Sequence, residues 1–80
     1  MEAYKISNIY FEQENFILVL NDQQYCFKIN EISKKLANAD EKERNNFQIS
    51  PSGYGIHWPS LDEDLSINGL LLHMKKSHVA

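Results

Sequence analysis

The chain is poor in the residues that most often announce a chemistry. Its 80 residues hold one cysteine, Cys26, which excludes an internal disulfide and any multi-cysteine zinc site. Two prolines and three glycines leave no Pro-rich or Gly/Ser-rich linker and no glycine-rich phosphate loop. Long apolar runs are missing as well. Phe16-Ile17-Leu18-Val19-Leu20 and Leu70-Leu71-Leu72 fall far short of the roughly 20 residues that cross a bilayer. The opening Met1-Glu2-Ala3-Tyr4-Lys5 has neither the basic head nor the apolar run of about 7–15 residues of a secretory leader. A cytoplasmic protein with no membrane partner is expected. Positive charge is scarce: eight Lys and Arg against eleven Asp and Glu give a net charge of −3. Stand-alone nucleic-acid binders are usually basic, so nucleic acid is not expected as a partner of this domain alone.

What is present reads as one small folded domain. Hydrophobic residues make up 42% and charged residues 24%, near the globular averages of about 45–50% and 25%. Tyr4 to Phe11 is rich in Tyr, Ile and Phe and reads as a strand, with a bulge near Ser7-Asn8 reconciling its two parities. Phe16 to Leu20 is apolar on both faces, the mark of a central strand. Asn21-Asp22-Gln23 is a tight connection of residues that tolerate left-handed backbone. Tyr25, Phe27 and Ile29 alternate with Cys26 and Lys28, which completes an antiparallel meander. The period then changes. Asn30 is the expected N-cap of a helical segment with Ile32, Leu36 and Ala39 on one stripe. Asp40 and Glu43 have capping-box spacing and open a further turn.

Phe47 to Ser50 and Tyr54 to Trp58 read as a hairpin about Pro51-Ser52-Gly53, with Ile56 buried and Pro59 ending the ladder. Ser60 and Glu63 repeat the capping-box spacing, so a turn is expected there. A last helix should follow, with Leu65, Ile67, Leu70 and Leu71 on its apolar face. Gly69 would weaken that helix by up to about 1 kcal/mol relative to Ala. The fold class is α+β: a small antiparallel sheet (three-stranded meander plus a hairpin), one helical segment and a short C-terminal helix. The domain spans residues 1–72, and 73–80 form a flexible polar tail.

Each arrangement that might carry catalysis has a simpler reading. Cys26 with His57 as base would need an electropositive setting, whereas Cys26 sits in an aromatic strand as a small filler. His57, His73 and His78 with Asp62, Glu63 and Asp64 lack ligand spacing, so no metal is expected. Asp62 and Asp64 are close enough for acid–base work, but a chain this short has little room for a substrate cleft beside its core. Acids at that position more simply favour a helix N-terminus or meet a partner. Ser52-Gly53-Tyr54-Gly55 joins strand to strand and offers no helix dipole to phosphate. Lys34, Lys35, Lys42, Arg44, Lys75 and Lys76 are scattered and form no nucleic-acid footprint. Trp58 is the largest apolar side chain, suited to a core or to an interface.

The run Gly53-Tyr54-Gly55-Ile56-His57-Trp58-Pro59-Ser60-Leu61-Asp62-Glu63-Asp64-Leu65-Ser66-Ile67-Asn68-Gly69-Leu70-Leu71 resembles the signature of domain of unknown function family 2442. So do Ile32-Ser33-Lys34-Lys35-Leu36-Ala37 and Asn45-Asn46-Phe47-Gln48-Ile49-Ser50-Pro51-Ser52-Gly53. The resemblance implies a small prokaryotic α+β domain with no established catalytic residues and no cofactor. Some members carry a following helix-turn-helix domain. Many are encoded beside a short protein of unknown function family 4160, in an arrangement like a type II toxin–antitoxin pair with this family as the antitoxin. The expectation is therefore a non-enzymatic interaction protein whose partner is a cognate small, toxin-like protein. A homodimer is compatible with that role. The partner surface is expected around His57, Trp58, Asp62, Glu63 and Asp64. The alternative is a dimerisation or effector-binding module of a transcription regulator.

Overall fold

Alternating aromatic and β-branched side chains occupy the first third of the chain, and in a computed structural model they form a sheet. The structure describes residues 5–78; Tyr4, the expected start of the first strand, and residues 79–80 of the expected tail lie outside them. Strands β1 (Ile6–Glu12), β2 (Asn15–Leu20) and β3 (Gln23–Lys28) pair antiparallel in the order β1-β2-β3. The register shifts between Ile6 and Asn8, where the sequence called for a bulge. Asn21 and Asp22 both have positive φ, 49° and 68°, the backbone of a two-residue hairpin turn that matches strand twist. Phe16, Leu18 and Leu20 of β2 face the core at 2% exposure or less, and Ile17 is buried at 3% on the opposite face, between Tyr10 and Cys26.

The helical region departs from the single segment read in the sequence. It is three one-turn helices, α1 (Ile29–Ile32), α2 (Lys34–Ala37) and α3 (Glu41–Arg44). Asn30 is not the cap: it lies inside α1, whose start at Lys28 has no side-chain cap. The break falls at Ser33, which is extended (φ −163°, ψ 116°). Its Oγ accepts from Leu36 N at 3.1 Å, which starts α2, and donates to Glu63 Oε2. A continuous helix would have given up that tertiary bond. At α3 the expected capping box is complete, with Asp40 Oδ1 accepting from Glu43 N at 2.7 Å and Glu43 Oε1 accepting from Asp40 N at 3.2 Å. Arg44 then ties three segments together. Its guanidinium donates to the carbonyls of Leu36, Ala37 and Gln13 and lies 5.9 Å from the centre of the Phe11 ring.

The second half holds a second three-stranded sheet, β4 (Gln48–Ile49), β5 (Gly55–Trp58) and β6 (Glu63–Ser66), in that order. The hairpin of β4 and β5 was legible. Strand β6 was not, and it corrects the reading of a capped turn at Ser60–Glu63. Pro59–Leu61 form a 3₁₀ turn closed by Asp62 at φ 51°, and Leu65 lies in β6 opposite Ile56 rather than on the last helix. That helix, α4 (Ile67–His78), starts where Ser66 Oγ accepts from Gly69 N at 2.9 Å. It runs on through His73 to His78, past the expected domain end at Leu72. The class is α+β, with two small sheets and four α-helices among the described residues.

Both sheets and α4 bury one core: Phe16, Leu18, Phe27, Leu36, Ile56, Trp58, Ile67 and Leu70 are its main members. Trp58 sits at its centre with no exposed surface, against the rings of Phe11, Phe16 and Phe47 at 6.1–6.4 Å. Its indole Nε1 donates to the carbonyl of Arg44 at 2.9 Å, so burial leaves no polar atom unpaired.

Candidate functional site

Period-two alternation positions the surface singled out in the sequence. On β5, Ile56 and Trp58 point inward and His57 outward. The register sets His57 opposite Asp64 and Trp58 opposite Glu63. Asp64 therefore stands on the outer face, its Oδ1 2.7 Å from His57 Nδ1, with side chains 74% and 42% exposed. An exposed pair of this kind contributes little to stability, about 0–1 kcal/mol. Its effect is to fix the imidazole's direction. Asp62, in the left-handed turn before β6, is exposed and lends its backbone carbonyl to Lys35 Nζ at 2.9 Å.

The other two residues of the expected surface serve the fold. Glu63 is half-buried and accepts from Ser33 Oγ through one oxygen and from Asp64 N, at 3.0 Å, through the other. Trp58 is entirely core and is removed from the contact surface, because the strand parity that exposes His57 must bury its neighbour. The surface thus reduces to His57, Asp62 and Asp64.

The structure brings other residues to this edge. A groove of about 350 Å³ runs between α1, α4 and β6, lined by Glu31, Ile32, Asp64, Leu65, Leu70 and His73. His73 Nε2 lies 3.4 Å from Glu31 Oε1 and bridges α4 to α1. Sequence reading assigned His73 to the tail; extending the spacing of Ile67 and Leu70 by three more residues places it on the same helix face. Glu31, Asp62 and Asp64 make this side acidic.

The Cys26–His57 pair weighed in the sequence is split between the two sheets. Cys26 lies on β3 of the first sheet and His57 on β5 of the second; Cys26 is exposed rather than a packed filler. Ser50, near His57, commits its Oγ to the amides of Tyr54 and Gly55. Among the described residues, no three His, Cys, Asp or Glu side chains converge on a common point; the side chain of His78 lies outside them. Nor, among the described residues, is any helix long and apolar enough to cross a membrane.

A family model described as protein of unknown function (DUF2442) matches residues 6–76, from the start of β1 to the last turns of α4. The chain belongs to this family. The family match covers the His57–Asp64 edge and the groove together, so both are parts of the DUF2442 domain and not additions to it. The fold is similar to that of a protein of unknown function from Rhodospirillum rubrum, known from a crystal structure at 2.75 Å resolution. That protein is 25% identical, with 90% of this chain and 89% of that chain covered and a TM-score of 0.72. No curated protein matches the chain.

Proposed function

We propose that this DUF2442 chain is a non-enzymatic interaction protein, the antitoxin-like partner of a small basic toxin. The observation that carries the reading is the acidic edge of the second sheet, where Asp62 and Asp64 project beside a groove that Glu31 also lines. Opposite charge across an interface raises the association rate and favours the right partner. A basic partner seated on β6 would meet all three carboxylates and the apolar floor of Ile32, Leu65 and Leu70. A second reading, an effector-binding module of a transcription regulator, is favoured by the same groove taken as a small-molecule site.

The test starts from tagged chain purified from its host with whatever basic protein co-purifies. Asp62→Asn with Asp64→Asn should leave the melting temperature within a few degrees and slow association with that protein at low salt. The difference should shrink as ionic strength rises and the Debye length falls to about 8 Å. A double variant that melts the domain but keeps the association rate per folded molecule would assign both acids to the fold. Saturable binding of a small molecule, with no protein partner recovered, would favour the second reading.

A further inference from the structure

Among the described residues the two sheets have four lateral edges, and three of them carry a device that interrupts pairing. On β1 the outward amide of Ile9 is met by Asn8 Oδ1 at 2.9 Å, beside the bulge. On β6 the bond from Ile67 N to the Tyr54 carbonyl fixes the alternation, so the amides of Asp64 and Ser66 point away from β5. Glu63 Oε1 meets the Asp64 amide. Strand β4 has only two residues. Such devices are how sheets avoid pairing with other chains.

Strand β3 has none of them. It is six residues long and keeps an unbroken register from Asn15↔Lys28 to Leu20↔Gln23. Ile29 N donates to the Glu14 carbonyl, so by alternation the amides of Phe27, Tyr25 and Gln23 face β2. Those of Gln24, Cys26 and Lys28 face outward, and all three residues are exposed. No hydrogen-bond acceptor among the described residues meets them.

We propose that β3 is a self-association edge, along which two copies of this chain pair antiparallel with Cys26 opposite Cys26. Three features of the strand select a second copy and this register. Under two-fold symmetry, outward amides must face outward amides. Centring on Cys26 sets Gln24 against Lys28 twice and keeps all three outward residues inside the strand. Shifting the centre to Tyr25 or Phe27 drives Lys28 or Gln24 against the turn or against α1, and centring on Lys28 opposes two like charges. With Cys26 on the axis, the outer-face row Tyr10–Ile17–Cys26 continues into the same row of the second copy. On the inner face Tyr25 meets Phe27. The result is a six-stranded sheet, and this edge lies on a different sheet from the acidic edge proposed for the toxin.

An edge pair of this length buries less than about 1,200 Å², the range of weak assemblies, so sedimentation equilibrium should be run from about 10 µM to 1 mM chain. The expected result is a reversible monomer–dimer equilibrium. Opposed Cα atoms in a hydrogen-bonded antiparallel pair lie about 5.5 Å apart, so a short bis-maleimide should cross-link wild-type chains through Cys26. Gln24→Pro removes an amide that makes no bond within the chain, a change edge strands tolerate. It should retain the melting temperature measured in dilute protein and weaken dimerisation at least tenfold. Cys26→Glu, at an exposed position, places two carboxylates on the axis and should do the same; it serves if the proline variant fails to fold. Three outcomes each overturn the proposal: a monomer up to 1 mM, a dimer unchanged in either folded variant, or a dimer that the reagent cannot link at Cys26.

Discussion

One serine and one tryptophan show how much a single side chain settles in a domain of this size. Ser33 is buried at 6% exposure and joins α2 to β6 through one hydroxyl. Ser33→Ala removes the cap of α2 and strips Glu63 of a partner, and is expected to cost about 2 kcal/mol, within the range for losing a cap and stranding a buried polar group. Asp64→Asn, at the exposed pair with His57, is expected to cost less than about 0.5 kcal/mol. Urea denaturation of the two variants side by side separates them. Nothing in the sequence distinguished Ser33 from any other helical serine, because its role is a contact across 30 positions. Trp58 was legible only in part. Strand parity buries it once β5 is recognised, whereas composition alone favoured the core and left an interface open.

At the scale of elements, the same sequence signal meant two different things. Asp40 and Ser60 each precede Glu by three residues. The first is followed by Glu41-Lys42-Glu43-Arg44, all good helix formers, and the capping box forms. The second has Pro59 before it and Asp62 in left-handed conformation within it, and the chain turns into β6. Glu and Asp are poor strand formers, so β6 could not be read from its own residues. It exists because β5 offers a ladder and Ser33 holds Glu63. The meander was legible throughout, since every pairing there is with the next strand along the chain. At the start of α4, an alanine Cβ at position 69 would sit 2.7 Å from Ser66 Oγ. Helix propensity would reward Gly69→Ala by about 1 kcal/mol, but the methyl group displaces the cap, whose loss costs about 0.5–2 kcal/mol. The single substitution should bring no gain, whereas in a Ser66→Ala background it should stabilise by about 1 kcal/mol. Thermal melts of this double-mutant cycle measure the coupling.

The whole molecule is two sheets of chain-adjacent strands, β1-β2-β3 and β4-β5-β6, held together by a few distant ties. Among them are Trp58 among rings of both halves, Arg44 reaching Gln13, Ser33 bonded to Glu63, Lys35 on the Asp62 carbonyl and His73 beside Glu31. Neither sheet covers its own inner face: Phe16 and Leu18 on one and Ile56 on the other are buried only by the common core. One cooperative transition is therefore expected, as for most domains under about 150 residues. Far-UV circular dichroism and Trp58 fluorescence should give coincident urea curves. A fluorescence transition that precedes the loss of circular dichroism would mean that the sheets part before they melt.

The bond at the start of α4 also bears on how the protein ages. Asparagine followed by glycine is the pair most prone to spontaneous deamidation, because the next backbone nitrogen can attack the side-chain amide and expel ammonia. Asparagine is counted among the thermolabile residues for this kind of reason. Asn68-Gly69 is such a pair. Its attacking nitrogen is the Gly69 amide, which already donates to Ser66 Oγ in the first turn of a helix. The hydroxyl that opens the helix thus doubles as a brake on covalent damage. Mass spectrometry of protein stored at elevated temperature should show the one-dalton gain at Asn68 accumulating several-fold faster in Ser66→Ala than in the unaltered chain.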